Sequence, residues 1–255
     1  MPTKTKTITV QSGVDINVVI SDAPVQGLNP TTIIFLHYWG GSARTWSLVT
    51  PLVSALYTTV AIDFRGWGAS TGPEEPDAYS ISALAEDVED VIAALHIRRV
   101  ILVGLSMGAK VSQLVAARMC SQASDSKKAG VLQGLVLVSP APPTPLMLPP
   151  DMRELQLHAY DNIESASFVA RRVLTRSFEF RDPPSFLVAD MLQNDVVETL
   201  ERVKLEVCSR FPGAILEVLH GSGHLSPLEV PEVVANRLLT FLNGLEAHTI
   251  LVSNP

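Results

Sequence analysis

Short apolar runs alternate along this chain with stripes of apolar residues at helical spacing, and that alternation defines most of its elements. Residues 8–10 and 14–20 run apolar or alternate on either side of Ser12-Gly13, which predicts an opening antiparallel hairpin. Asn29-Pro30 breaks the chain, and Thr31–Leu36 (TTIIFL) follows as a buried-strand run. A helix is expected from Ala43 to about Leu56, a strand from Tyr57 to Ile62, and a second helix from Tyr79 to Leu95. In that second helix Leu84, Val88, Val91, Ile92 and Leu95 form the buried stripe, with Glu86, Asp87, Glu89 and Asp90 outside. Val100–Val103 is another strand, and from Met107 onward Val111, Leu114, Val115 and Met119 recur at helical spacing. Leu135–Val138 and Ala214–Leu219 read as two further strands. Val230–Leu242 closes as an amphipathic helix and leaves AHTILVSNP as a tail. Strands and helices in this order imply an α/β protein with a mostly parallel sheet covered on both faces.

The alternation stops at Pro140. PAPPTPLMLPP holds six prolines in eleven residues, too many for a helix or a sheet strand, so the chain leaves the core there. Residues 152–176 look helical again, with apolar Leu155, Leu157, Phe168, Val169 and Leu174. The expected organisation is a core of residues 1–140 and 186–255, with 141–185 as a helical cap over the carboxyl edge of the sheet. Leu146, Met147 and Phe168 are then candidate substrate contacts.

Composition narrows the classes. Hydrophobic residues make up 47% of 255, enough for a large core, yet no apolar run reaches the roughly 18 residues that cross a bilayer. The start, MPTKTKTITVQSG, has no apolar core of a secretory signal, so a cytoplasmic location is expected. A net charge of −7 with no basic block argues against nucleic acid or an anionic membrane as partner and favours a small, largely neutral molecule. Cys120 and Cys208 fall in helix-like apolar patterns and read as core thiols rather than a disulfide. The His and Cys residues show no paired metal-ligand spacing, and no dinucleotide fingerprint follows a strand; neither metal nor cofactor is expected.

The chemistry concentrates between Arg98 and Cys120. Only Gly104, Leu105 and Ser106 separate strand from helix, so the turn is tight, and glycines two residues on either side of Ser106 remove side chains that would collide there. This is a nucleophile elbow, which exposes the Ser106 hydroxyl at the carboxyl end of the strand. A serine hydroxyl needs a base to take its proton. His224 is the best candidate, because it follows a strand through Gly221-Ser222-Gly223 at the same sheet edge. His96, His158, His220 and His248 lie at a helix end, in the cap, too early in the turn and in the tail, while His37 is placed to brace its loop. Acyl transfer also needs N–H donors for an oxyanion hole; Met107, opening the helix, and Trp39, in the Gly40-Gly41 loop, are the expected pair.

His37-x-Trp39-Gly40-Gly41, Asp63-x-Arg65-Gly66-x-Gly68-x-Ser70, Gly104-x-Ser106-Met107-Gly108 and Gly221-x-Gly223-His224 together resemble the successive signatures of the α/β-hydrolase superfamily. The resemblance runs from about residue 5 to 243 and is nearest to its serine esterase, lactonase and cofactor-free haloperoxidase-like members. It implies the α/β-hydrolase fold and structural bracing by Asp63 and Arg65. One departure is Tyr38, where such proteins read glycine; its bulk is expected either to narrow the acyl pocket, as a substrate contact, or to shift the oxyanion loop. The resemblance also implies a catalytic triad whose acid lies in a loop some thirty residues before the histidine. Asp195, 29 residues before His224, fits the spacing. Against it, Val188, Leu192, Val196, Leu200, Val203 and Val207 repeat at helical spacing through that position, and Phe186–Val188 is the one trace of the strand that should precede it. Asp190, Asp182 and Glu198 stay open. The implied activity is cofactor-independent hydrolysis of a small or medium carboxylic ester or lactone through an acyl-enzyme. Alternatives are a weakly catalytic or noncatalytic binding protein or receptor on the same fold, or a perhydrolase or C–C bond hydrolase; a dehalogenase or epoxide hydrolase would be implied by aspartate, not serine, at the elbow. Oligomeric state is not legible.

Overall fold

A computed structural model describes residues 3–24, 31–121, 131–140, 150–193, 219 and 221–251. Strands β1 (Thr3–Thr9) and β2 (Asp15–Ser21) form the expected hairpin, turned by Gly13. With β3 (Thr31–Leu36), β4 (Thr58–Ile62), β5 (Arg99–Leu105) and β6 (Val131–Val138) they build one sheet in the order β1-β2-β4-β3-β5-β6. The hairpin joins antiparallel, and β4, β3, β5 and β6 are parallel to one another. β3 and β5 are buried on both faces, as their unbroken apolar runs require.

Helices cover both faces. On one lie α2 (Ile81–Ala94) and α3 (Met107–Ser121), packing Leu84, Val88, Val91, Val111 and Val115 against Ile34, Leu36, Val60 and Leu102. α2 starts on Ser80, whose hydroxyl accepts the Ala83 N–H, and ends with His96 in the left-handed conformation, φ 53°. The other face carries Trp46, the short α1 (Thr50–Val53), α7 (Ser226–Glu229) and α8 (Pro231–Leu251), over Ile33, Phe35, Ile101 and Val103. Between β6 and α7 the chain forms α4 (Pro150–Leu157), α5 (Ile163–Phe168), a π-helical turn over Val169–Val173, and α6 (Phe186–Leu192).

Several sequence expectations need correcting. The helix expected over 43–56 is two short turns, Ala43–Trp46 and α1, because Pro51 supplies no N–H to an incoming helix and suits only the start of a new one. α8 does not stop near Leu242 but runs to Leu251; Leu245 still packs against the sheet, beside Gly134 of β6, and holds the helix past Gly244. Asp87 is 1% exposed rather than on the outer face of α2, since Arg65 reaches it with Nε and Nη2, each at 2.6 Å. Cys120 is exposed, not a core thiol. The helix expected over 152–176 is divided between α4, α5 and the π-helical turn. Cys208 lies outside the described residues, as does the strand expected over Ala214–Leu219 apart from Leu219 itself, which is not in a strand. No helix among the described residues is long and apolar enough to cross a membrane.

Strand order fixes where a ligand can enter. β3 lies between β4 and β5; the chain leaves β3 toward the α1 and α8 face and leaves β5 toward the α2 and α3 face. The loops after β3 and β5 therefore run to opposite faces of the sheet, the arrangement at whose carboxyl end open α/β sheets bind their ligands.

Candidate active site

The turn from β5 to α3 is as tight as its sequence demands. Ser106 sits at φ 55°, a left-handed conformation that a serine adopts under constraint, and it is half-buried. A Cβ on Gly104 would overlap the Gly108 carbonyl, and one on Gly108 would overlap the carbonyls of Leu36 and His37. Glycine at 108 thus lets the first turn of α3 lie directly on the loop leaving β3. The Ser106 N–H donates to Val138 O of β6 at 3.1 Å and anchors the elbow on its other side.

The loop after β3 is braced by a histidine that does not titrate near neutrality. His37 is fully buried; its Nδ1–H donates to Tyr38 O at 2.7 Å, and its Nε2 accepts the Phe64 N–H at 3.1 Å. Burial lowers its pKa from 6.5 to about 4 despite the nearby Asp63. Tyr38 O also accepts the Gly41 N–H at 3.0 Å, so this carbonyl is turned inward from two sides. A planar trans peptide points its C=O and N–H in opposite directions, and the Trp39 N–H is therefore turned away from those partners. Neither the Trp39 nor the Met107 N–H has a protein acceptor among the described residues. Tyr38 itself is 2% exposed, and burial raises its pKa well above the ordinary phenol value. The Tyr38 hydroxyl and the Trp39 indole N–H are buried without a hydrogen-bond partner among the described residues.

Tyr160, between α4 and α5, covers this loop. Its ring lies 4.5 Å from that of Trp39, its hydroxyl donates to Trp39 O at 3.2 Å, and a Cβ on Gly40 would stand 2.5 Å from it. Gly40, at φ 87°, supplies both the turn and the space. Nothing in the sequence near Tyr160 marks it; the one signal was Gly40, against which it packs.

His224 follows Gly221, at φ 80°, and Gly223. The ring is half-buried, and burial lowers its pKa below 6.5. No hydrogen bond to its ring nitrogens arises from the described residues. Asp195 lies outside the described residues, as do Glu198, His220, Leu146 and Met147. Of the other acids weighed, Asp190 accepts from Ser42 Oγ at 2.7 Å and pairs with Arg44, and Asp182 pairs with Arg171 at the surface. Phe168, on α5, is 61% exposed. Asp63 braces three segments: it accepts from Asn17 Nδ2 at 2.8 Å and from the N–H groups of Ala43 and Ala69 at 2.5 and 2.9 Å. Among the described residues no group of three His, Cys, Asp or Glu side chains is placed to hold a metal ion.

The sequence model of the alpha/beta hydrolase family matches residues 33–198. Fluoroacetate dehalogenase from a Burkholderia species is 33% identical over 106 residues, 40% of this chain and 34% of that protein. The chain matches about a third or less of the length of this and several other curated relatives. A Haemophilus influenzae protein, provisionally named an esterase/lipase, is 24% identical over 253 residues, covering 86% of this chain and 85% of its own. A carboxylesterase from Bacillus subtilis superposes with a TM-score of 0.69 at 18% identity, covering 96% of this chain and 93% of its own. A thermophilic esterase from Thermogutta terrifontis gives 0.68 at 18%, covering 95% and 99%. At such identities the superpositions establish the fold.

Proposed function

Since this chain belongs to the alpha/beta hydrolase family, we propose that it is a cofactor-independent serine hydrolase of small or medium carboxylic esters or lactones. The observation that carries the reading is the left-handed Ser106 on a turn whose glycine packs against the loop after β3. Serine, rather than aspartate, at the elbow favours ester cleavage over dehalogenation. In the proposed reaction Ser106 Oγ adds to the substrate carbonyl while His224 takes its proton. The resulting oxyanion is held by the N–H groups of Trp39 and Met107, the latter at the positive end of α3. Protonated His224 then gives its proton to the departing alkoxide, leaving an acyl-serine; water, activated by the same histidine, releases the acid and restores the hydroxyl. Asp195 is the proposed partner that orients His224. Leu146, Met147 and Phe168 are the proposed substrate contacts, while Tyr38, 2% exposed, supports the loop after β3 from behind rather than touching substrate.

Short p-nitrophenyl esters and a fluorophosphonate probe test this directly. The native protein should hydrolyse the esters and take the label at Ser106. Ser106→Ala should lose turnover by several orders of magnitude with an unchanged melting temperature, because the removed hydroxyl leaves no core cavity. Labelling at another residue, or none, refutes the assignment of the nucleophile.

A further inference from the structure

Glu229, five residues after His224, is an acid that sequence reasoning passed over. It is 6% exposed and forms no salt bridge among the described residues. Its carboxylate instead accepts three backbone N–H groups: Oε2 from Arg176 and Ser177, each at 2.8 Å, and Oε1 from Gly223 at 2.8 Å. On the other side of the histidine, the Leu225 N–H donates to Leu174 O at 3.2 Å. A Cβ on Gly223 would meet Leu174 O and Thr175 Cα at 2.8 Å, so the two backbones already touch. His224 is thus bracketed by two residues that are both tied to 174–177, the stretch leaving the π-helical turn.

We propose that Glu229 is the positioning residue for His224, clamping the loop that carries the base to segment 174–177 so that the ring keeps one orientation. The proposal rests on the reading of Ser106 and His224 given above. It does not require Glu229 to touch the ring or the substrate. A displacement of about 1 Å in a catalytic group can lower turnover by about 10²-fold.

Glutamine separates positioning from folding. It keeps the shape of Glu229 but has one acceptor oxygen, which makes two bonds if it faces Arg176 and Ser177. Its NH2 then opposes the Gly223 N–H and releases the histidine loop alone. Glu229→Gln should therefore lower kcat for p-nitrophenyl acetate by roughly 10–100-fold, slow Ser106 labelling by the same factor, and leave KM and the melting temperature nearly unchanged. A second readout needs no turnover: by 15N NMR the His224 ring should titrate below 6.5 in the native protein and move back toward 6.5 in the variant, as the freed loop gains solvent. A native protein without esterase activity that still shows this NMR difference refutes the hydrolase reading and keeps the clamp. Unchanged labelling and unchanged His224 titration in folded Glu229→Gln overturn the clamp, as does a loss that merely follows the melting temperature. If Glu229→Gln does not fold, Glu229→Asp, one methylene too short to reach all three donors, takes the same measurements; failure of both to fold makes Glu229 an element of the fold and overturns the proposal.

Discussion

His37 and the proposed base, His224, sit in different surroundings. Both ring nitrogens of His37 are engaged, and full burial brings its pKa to about 4, so it stays neutral and holds the loop after β3. His224 is half-buried with a lowered pKa. Burial disfavours the imidazolium, so the neutral base persists to lower pH than an ordinary histidine allows. kcat/KM for a neutral ester should accordingly rise with pH to a plateau through a midpoint below 6.5, a limb that reports the free enzyme. A midpoint above 6.5 contradicts the lowered pKa. The orienting acid gives a further test. If Asp195 fixes the imidazole tautomer, Asp195→Asn should lower kcat by up to ~10⁴ while KM changes little; near-native turnover would leave a Ser–His dyad. At this scale the turns that carry Ser106 and His224 were legible, because glycine spacing forces a turn whatever surrounds it. Asp87 and Glu229 were not: their burial is set by Arg65 and by the 176, 177 and 223 amides, which come from other segments and leave no local pattern.

The strands were the most legible elements, since a run buried on both faces admits no polar residue and shows itself without reference to neighbours. β3 and β5 match their apolar runs closely. Helix ends were harder, because what extends or stops a helix is partly tertiary: Pro51 splits 43–56, and the contact of Leu245 with the sheet carries α8 past Gly244. The proline-rich break was visible, but a contact of the segment after it was not. One such contact is Tyr160, stacked on Trp39 and donating to its carbonyl. Tyr160→Phe removes one hydrogen bond, of about 1 kcal/mol, and should reduce kcat several-fold. Tyr160→Ala also removes the ring that fills the space over Gly40 and should cost about 10²-fold. Steady-state kinetics on acetate and butyrate esters distinguish these outcomes, and two variants indistinguishable from the native protein would remove Tyr160 from the support of the loop.

Across the whole molecule, the Ser106 turn and the parts that keep the sheet together are separate. Ser106 sits where the chain parts between β3 and β5, and the face covered by α2 is tied down by Arg65. Its guanidinium joins four segments: it pairs with Asp87 of α2 at 2.6 Å, donates to Ala78 O at 2.9 Å, and reaches Ser12 Oγ of the opening hairpin at 3.3 Å, from its own place after β4. Both partners of the ion pair are buried, with side chains 6% and 2% exposed. Breaking such a pair leaves one charge uncompensated and costs about 3–5 kcal/mol, a large part of the roughly 5–15 kcal/mol that stabilises a domain. Arg65→Met should therefore shift the urea midpoint strongly downward while the folded fraction keeps its activity. Replacing both groups, as Arg65→Met with Asp87→Leu, removes the stranded carboxylate and should recover much of the loss. The recovery should be incomplete, because the bonds to Ala78 and Ser12 are not restored. A single Arg65→Met variant within about 0.5 kcal/mol of the native protein, the range of ordinary surface substitutions, would show that the pair does not hold these segments together.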